Sequence, residues 1–157
     1  MFEKELIHIQ EQQLLRFQVR IGSAQGPRVT VDGKPVILLC SNNYLGLAEH
    51  PALQQAACDA MERYGFGSGA SRLISGNSEL HEELERRMAA FKGAESAILF
   101  NSGYAANTGI IPAVAGEGHL VLSDQLNHGS IIDGCRLSKA RTKGFRHRDV
   151  DPLESRL

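Results

Sequence analysis

The chain has 157 residues, a formal net charge of -1, 42% hydrophobic residues and 22% charged residues. That is the size of about one domain with the composition of an ordinary globular chain. Near-neutral charge gives no general attraction to nucleic acid or anionic membrane, residues 1–13 are too charged for a signal peptide, and no apolar run approaches the roughly 20 residues of a membrane helix.

In chain order, Phe2, Leu6, Ile9, Leu14 and Phe17 recur at helical spacing and predict an amphipathic helix over 2–20. A hairpin follows, with strands Arg28–Val31 and Pro35–Leu39 around Asp32-Gly33, a dipeptide suited to the positive φ of a type I′ turn. Ser41-Asn-Asn-Tyr-Leu-Gly-Leu47 reads as irregular. Pro51 suits a first helical turn, and Leu53, Ala56, Ala57, Ala60 and Met61 line one face of a helix reaching Tyr64. Residues 65–76 form a glycine- and serine-rich loop. Asn77 or Ser78 caps the next helix, whose core stripe is expected at Leu80, Leu84, Met88 and Phe91, ending near Gly93.

The pattern then alternates. A short buried strand is predicted at Ser96–Phe100, a helix at 103–115, a strand at His119–Ser123, a helix at 129–140 and a third strand at Thr142–His147. Strands alternating with helices imply parallel pairing, with ligands beyond the carboxyl ends of the strands. The last residues, Asp151–Leu157, read as a turn and the beginning of a helix, as if the chain were truncated there.

Phe100-Asn-Ser-Gly-Tyr-Ala-Ala-Asn107 joins a strand end to a helix start, where unpaired N–H groups and the helix dipole make a seat for phosphate; an ordinary turn is the plainer alternative. Ser123-Asp-Gln-Leu-Asn-His-Gly-Ser130 occupies the same place in the next unit, so His128 stands where it can stack on a flat ring or shuttle a proton, or merely satisfy backbone groups. The adjacent amides of Asn42 and Asn43 can hold a carboxylate or make turns. Gly65-x-Gly67-x-x-Ala70 fits a loose dinucleotide pattern, but a helix precedes it where that use needs a strand. Arg72 in this loop is free to bind an anion or to be solvated. The basic run Arg136 to Arg148 reads as a solvated face or a patch for the phosphates of an acyl carrier. Cys40, Cys58 and Cys135 are scattered, which fits reduced thiols in a cytoplasm, each expected as a buried small apolar residue. The remaining histidines share no metal-ligand spacing, and no metal is expected.

Ser41–Leu47, Gly65–Gly76, Leu80-His-Glu-Glu-Leu-Glu85, Phe100–Asn107 and Ser123–His128 together follow the order and spacing of the α-oxoamine synthases. The chain is similar to this family of pyridoxal-phosphate enzymes over nearly all its length from Leu14. The resemblance implies an α/β, fold-type-I transferase. Residues 1–45 would be the N-terminal helix and hairpin segment, and 46–157 the first part of the large, mainly parallel-sheet cofactor domain. It implies pyridoxal 5'-phosphate as cofactor, with the phosphate at Gly103 and Tyr104 and His128 as the catalytic residue that stacks on the ring. By the same resemblance Asn42 contacts the amino-acid carboxylate and Arg16 lies near the acyl substrate. It further implies a homodimer, the 65–76 loop reaching across subunits. The loop Gly67–His81 resembles the branch that condenses L-alanine with a pimeloyl thioester, on coenzyme A or a carrier protein, in biotin synthesis. A glycine-using acetyltransferase branch shares the same site residues, and a non-catalytic phosphate- or partner-binding fragment is the alternative of another kind. The family's cofactor-bearing lysine and ring-nitrogen aspartate are implied beyond Leu157, and Lys4, Lys34, Lys92, Lys139 and Lys143 match neither context.

Overall fold

A computed structural model describes residues 2–149. The chain forms two compact units, Met1–Gly67 and Ser68–Leu157. The expected terminal turn and helix start at 151–157 lie outside the described residues.

In the first unit, helix α1 spans Phe2–Glu11. It stops short of the predicted 2–20 because Gln13 takes a left-handed φ of 56°, and Leu14 N–H folds back to the Ile9 carbonyl at 2.9 Å. Ile21 then pairs with Val31, which keeps the chain extended. Strands β1 (Arg28–Val31) and β2 (Lys34–Ile37) form the antiparallel hairpin, and Asp32 (φ 48°) and Gly33 (φ 76°) both take the positive φ of a type I′ turn. Pro35 faces Thr30, whose N–H goes to Ser23 Oγ and whose carbonyl accepts from Gly22, so the missing proline N–H costs no ladder bond. Helix α2 (Pro51–Tyr64) begins with Pro51 as its first residue and ends at Gly65.

In the second unit, α3 (Glu79–Lys92) starts after Ser78 and ends in a Schellman motif. Gly93 is left-handed, and Ala94 N–H reaches the Ala89 carbonyl at 2.9 Å. Helix α4 (Gly103–Val114), strand β3 (Leu120–Asp124), helix α5 (Gly129–Leu137) and strand β4 (Arg141–Phe145) follow, with β3 and β4 parallel from Leu120↔Arg141 to Asp124↔Phe145. This is the expected strand–helix–strand unit.

Three expectations are corrected. Ser96–Phe100 is neither a strand nor buried: no described strand pairs with it, and Ile98 is 71% exposed. A strand is a pairing, and an apolar run cannot make one alone. On α3 the buried residue is Ala89, whereas Leu80, Leu84, Met88 and Phe91 stay exposed because no described element covers that stripe. Cys135 is buried, but Cys40 and Cys58 are exposed.

Candidate functional site

Ser102 caps α4 by accepting the Ala105 N–H on its hydroxyl at 3.0 Å, and its carbonyl accepts from Ala106 at 3.0 Å. The N–H groups of Gly103 and Tyr104 are left without a partner among the described residues. Gly103 is not left-handed, and a Cβ built on it meets nothing within 4 Å. Neither backbone strain nor packing therefore asks for glycine there. The space over Gly103 is open, and two donors at the positive end of a helix can fit phosphoryl oxygens.

The Tyr104 side chain is turned elsewhere. Its hydroxyl donates to Asp133 Oδ2 on α5 at 2.7 Å, and this acceptor, with partial desolvation, raises the phenol above its ordinary pKa. Only the backbone of Tyr104 remains for an anion.

His128 caps α5: its Nδ1 accepts the Ser130 N–H at 3.2 Å and lies 2.7 Å from Ser130 Oγ. The turn leading to it is tied down by Asp124, whose carboxylate accepts from the N–H groups of Leu126 (2.8 Å) and Arg148 (3.1 Å) and meets His147. Those bonds, the Leu126 N–H foremost, hold the Asp124 carboxyl below its ordinary pKa.

The two helix starts are joined. Asn107 Nδ2 donates to Ser130 Oγ at 2.9 Å. A Cβ on Gly134 would press on the Asn107 carbonyl and on Ile111, and one on Gly116 would meet the Ser138 carbonyl. Tyr104–Asp133 and Asn107–Ser130 thus tie the first turns together, Ile111 meets Gly134 farther along, and Gly116 meets Ser138 just past both helix ends. The helices lie side by side in the same direction, so the start of α4 and His128 share one end of the unit.

A second cluster holds the approach to α4. Arg72, from the glycine-rich loop, makes a two-pronged pair with Glu85 at 2.6 and 2.9 Å and donates to Asn77 Oδ1 at 2.8 Å. Glu85 also accepts the Leu99 N–H at 2.7 Å. The Arg72 hydrogen bonds, then the Leu99 N–H, hold the Glu85 carboxyl down at about 2. Arg72 is neither a free anion site nor merely solvated; it fastens the loop to α3. An apolar hollow of about 280 Å³ between α3 and residues 94–99 contains no candidate site residue.

The substrate-site candidates Asn42 and Arg16 lie in the first unit. The paired asparagines divide their work. Asn43 makes the turn, accepting from Ala48 N–H at 3.1 Å, while exposed Asn42 accepts only the Tyr44 hydroxyl at 3.2 Å and keeps its amide donors without a partner among the described residues. Arg16 is exposed in the extended stretch after α1. Asn107, Ser130, Asp133 and Glu85 were missed by sequence reasoning. Only the serine two residues after His128 was a visible signal.

Comparison with known proteins shows the family and the fold. Residues 34–157 match the family model of aminotransferases of class I and II, and the chain belongs to that family. It is 58% identical over 98% of its length to an 8-amino-7-oxononanoate synthase of Geobacter sulfurreducens, and 57% identical over 97% to one of Geobacter metallireducens. It spans 39% of the length of each. Among solved structures, a serine palmitoyltransferase from S. paucimobilis with a bound PLP–myriocin aldimine superposes with a TM-score of 0.88 at 34% identity, covering 99% of this chain and 39% of that one. The fold is that of the fold-type-I transferases, of which these residues make an N-terminal part. No helix among the described residues is long and apolar enough to cross a membrane.

Proposed function

We propose that this chain is part of a pyridoxal-phosphate enzyme that condenses L-alanine with a pimeloyl thioester, on coenzyme A or a carrier protein, releasing carbon dioxide, the free thiol of the carrier and 8-amino-7-oxononanoate for biotin synthesis. The observation that carries the reading is the pair of free N–H groups over the open face of Gly103, at the same end of the unit as the His128 imidazole. The names and identities of the relatives support the choice of branch.

Each residue then has a defined task. The N–H groups of Gly103 and Tyr104 hold the phosphate and fix the cofactor's position. His128 lies flat against the ring. The Asn42 amide, whose N–H donors are free, orients the carboxylate of alanine, and Arg16 meets the acyl substrate. When bound, the cofactor supplies a protonated ring that withdraws electrons from the amino acid's Cα. The cofactor-bearing lysine and the aspartate at the ring nitrogen belong to the part of the enzyme beyond Leu157. The whole enzyme is a cytoplasmic homodimer, with residues 1–45 as its N-terminal segment and 46–157 opening its large domain.

The decisive assay gives full-length enzyme alanine or glycine with pimeloyl or acetyl thioesters. Preference for alanine and the pimeloyl thioester is expected, and preference for glycine with the acetyl thioester would assign the acetyltransferase branch instead. Residues 1–157 alone should not turn over. Incubation with pyridoxal phosphate and borohydride should label no single lysine stoichiometrically, and such labelling would overturn the assignment of that lysine to the remainder.

A further inference from the structure

His128 does more than cap a helix. A backbone N–H can only donate, so the Ser130 N–H at 3.2 Å assigns the lone pair to Nδ1 and the ring proton to Nε2. Ser130 Oγ, 2.7 Å from the same nitrogen, receives the Asn107 amide at 2.9 Å from the neighbouring helix. With that side of the oxygen engaged by a donor, the hydroxyl proton is directed to Nδ1. Ser130 is 1% exposed, so water does not compete for its hydroxyl. The chain Asn107 to Ser130 to His128 therefore runs in one direction from α4 to the ring.

We infer that Ser130 and Asn107 are positioning residues that fix the plane of the His128 imidazole, whose Nε2–H tautomer the Ser130 N–H already sets. Capping alone does not need them. His50 caps α2 through the same nitrogen at the same 3.2 Å, onto the N–H of Ala52, with no hydroxyl two residues on. The serine and its amide donor are additional at α5. Their service is to a ring whose face and outward nitrogen must meet a bound molecule in a set orientation. The inference rests on the reading of His128 as the group that covers the cofactor ring.

The test uses full-length enzyme with bound pyridoxal phosphate and ¹⁵N-labelled histidine, comparing wild type, Ser130→Ala and Asn107→Asp. In wild type the pyridine-type nitrogen of His128 should be Nδ1. Asn107→Asp keeps the shape but offers only acceptors, so it captures the Ser130 proton and leaves Nδ1 with the backbone N–H alone; the tautomer should stay, and the cofactor's visible circular-dichroism band should change as the ring loosens. Turnover should fall about tenfold, with the KM for the amino acid changed less than about twofold. Ser130→Ala retains the cap that His50 and Ala52 display. It should keep the tautomer but change the cofactor's visible circular-dichroism band as the ring loosens. A proton on Nδ1 in wild type, or an unchanged dichroism band in both Asn107→Asp and Ser130→Ala, would overturn the inference. Turnover that survives His128→Ala would instead sink the stacking role while leaving the tautomer result to be judged on its own.

Discussion

Helices α2 and α5 begin alike and end their likeness there. Both are capped by a histidine whose Nδ1 accepts the N–H two residues on, at 3.2 Å. At α2 the sequence is His50-Pro51-Ala52, and the cap touches only its own turn. At α5 it is His128-Gly129-Ser130, and the serine reaches another helix through Asn107. A shared local motif therefore says little about role. What separates the two is a polar contact 23 residues away in sequence.

The largest expected effect comes from removing each histidine in full-length enzyme. His128→Ala should lower turnover by about a hundredfold or more while cofactor retention changes far less. His50→Ala should leave turnover intact and lower the thermal midpoint by a few degrees, as loss of an N-cap does. Equal kinetic effects would erase the distinction. A second way to sharpen it is to push α4 and α5 apart. Gly134→Ala places a methyl 2.6 Å from the Asn107 carbonyl oxygen, so stability should drop by about 1–3 kcal/mol in urea unfolding. Comparable stability would mean that the contact is slack.

Acid gives a smaller effect. Glu85 has its carboxyl held at about 2 in the folded chain, against 4.5 ordinarily, so its contribution is present above about 4.5 and lost as pH falls toward 2. Protection of the Leu99 amide from hydrogen exchange should weaken over that window in wild type. In Glu85→Gln the same amide should be weakly protected throughout, and persistence of the acid transition there would point to another carboxylate. The smallest effect should be that of Tyr104→Phe. It deletes the hydroxyl bonded to Asp133 but keeps the backbone donor, so cofactor affinity should move less than about threefold. A larger loss would mean that the phenol itself touches the ligand.

Most of the local punctuation was legible in the sequence. The Asp32-Gly33 turn, Pro51 at a helix start, Gly93 at a helix end and the strand–helix–strand unit from Leu120 to Phe145 all follow from backbone preferences that act over a few residues. The candidate phosphate seat and His128 were legible for the same reason, since both stand at helix starts. What escaped depends on partners rather than on spacing. Ser96–Phe100 has the composition of a strand without a described strand to pair with, and α3 has an apolar stripe that no described helix or strand covers. Arg72 looked like a free cation because Glu85 lies 13 residues away, and Asn107 looked like one more helical residue because its hydroxyl partner belongs to the next unit.

The side-by-side run of α4 and α5 has an evolutionary consequence. Ser130 and Asn107 meet across a packed seam, so a lineage that changes Asn107 alone leaves the buried Ser130 hydroxyl one donor short, and one that changes Ser130 alone leaves the half-buried Asn107 amide without this acceptor. Substitutions at these two positions should be inherited as a couple, whereas Ala52, with no such counterpart, is left to drift by itself.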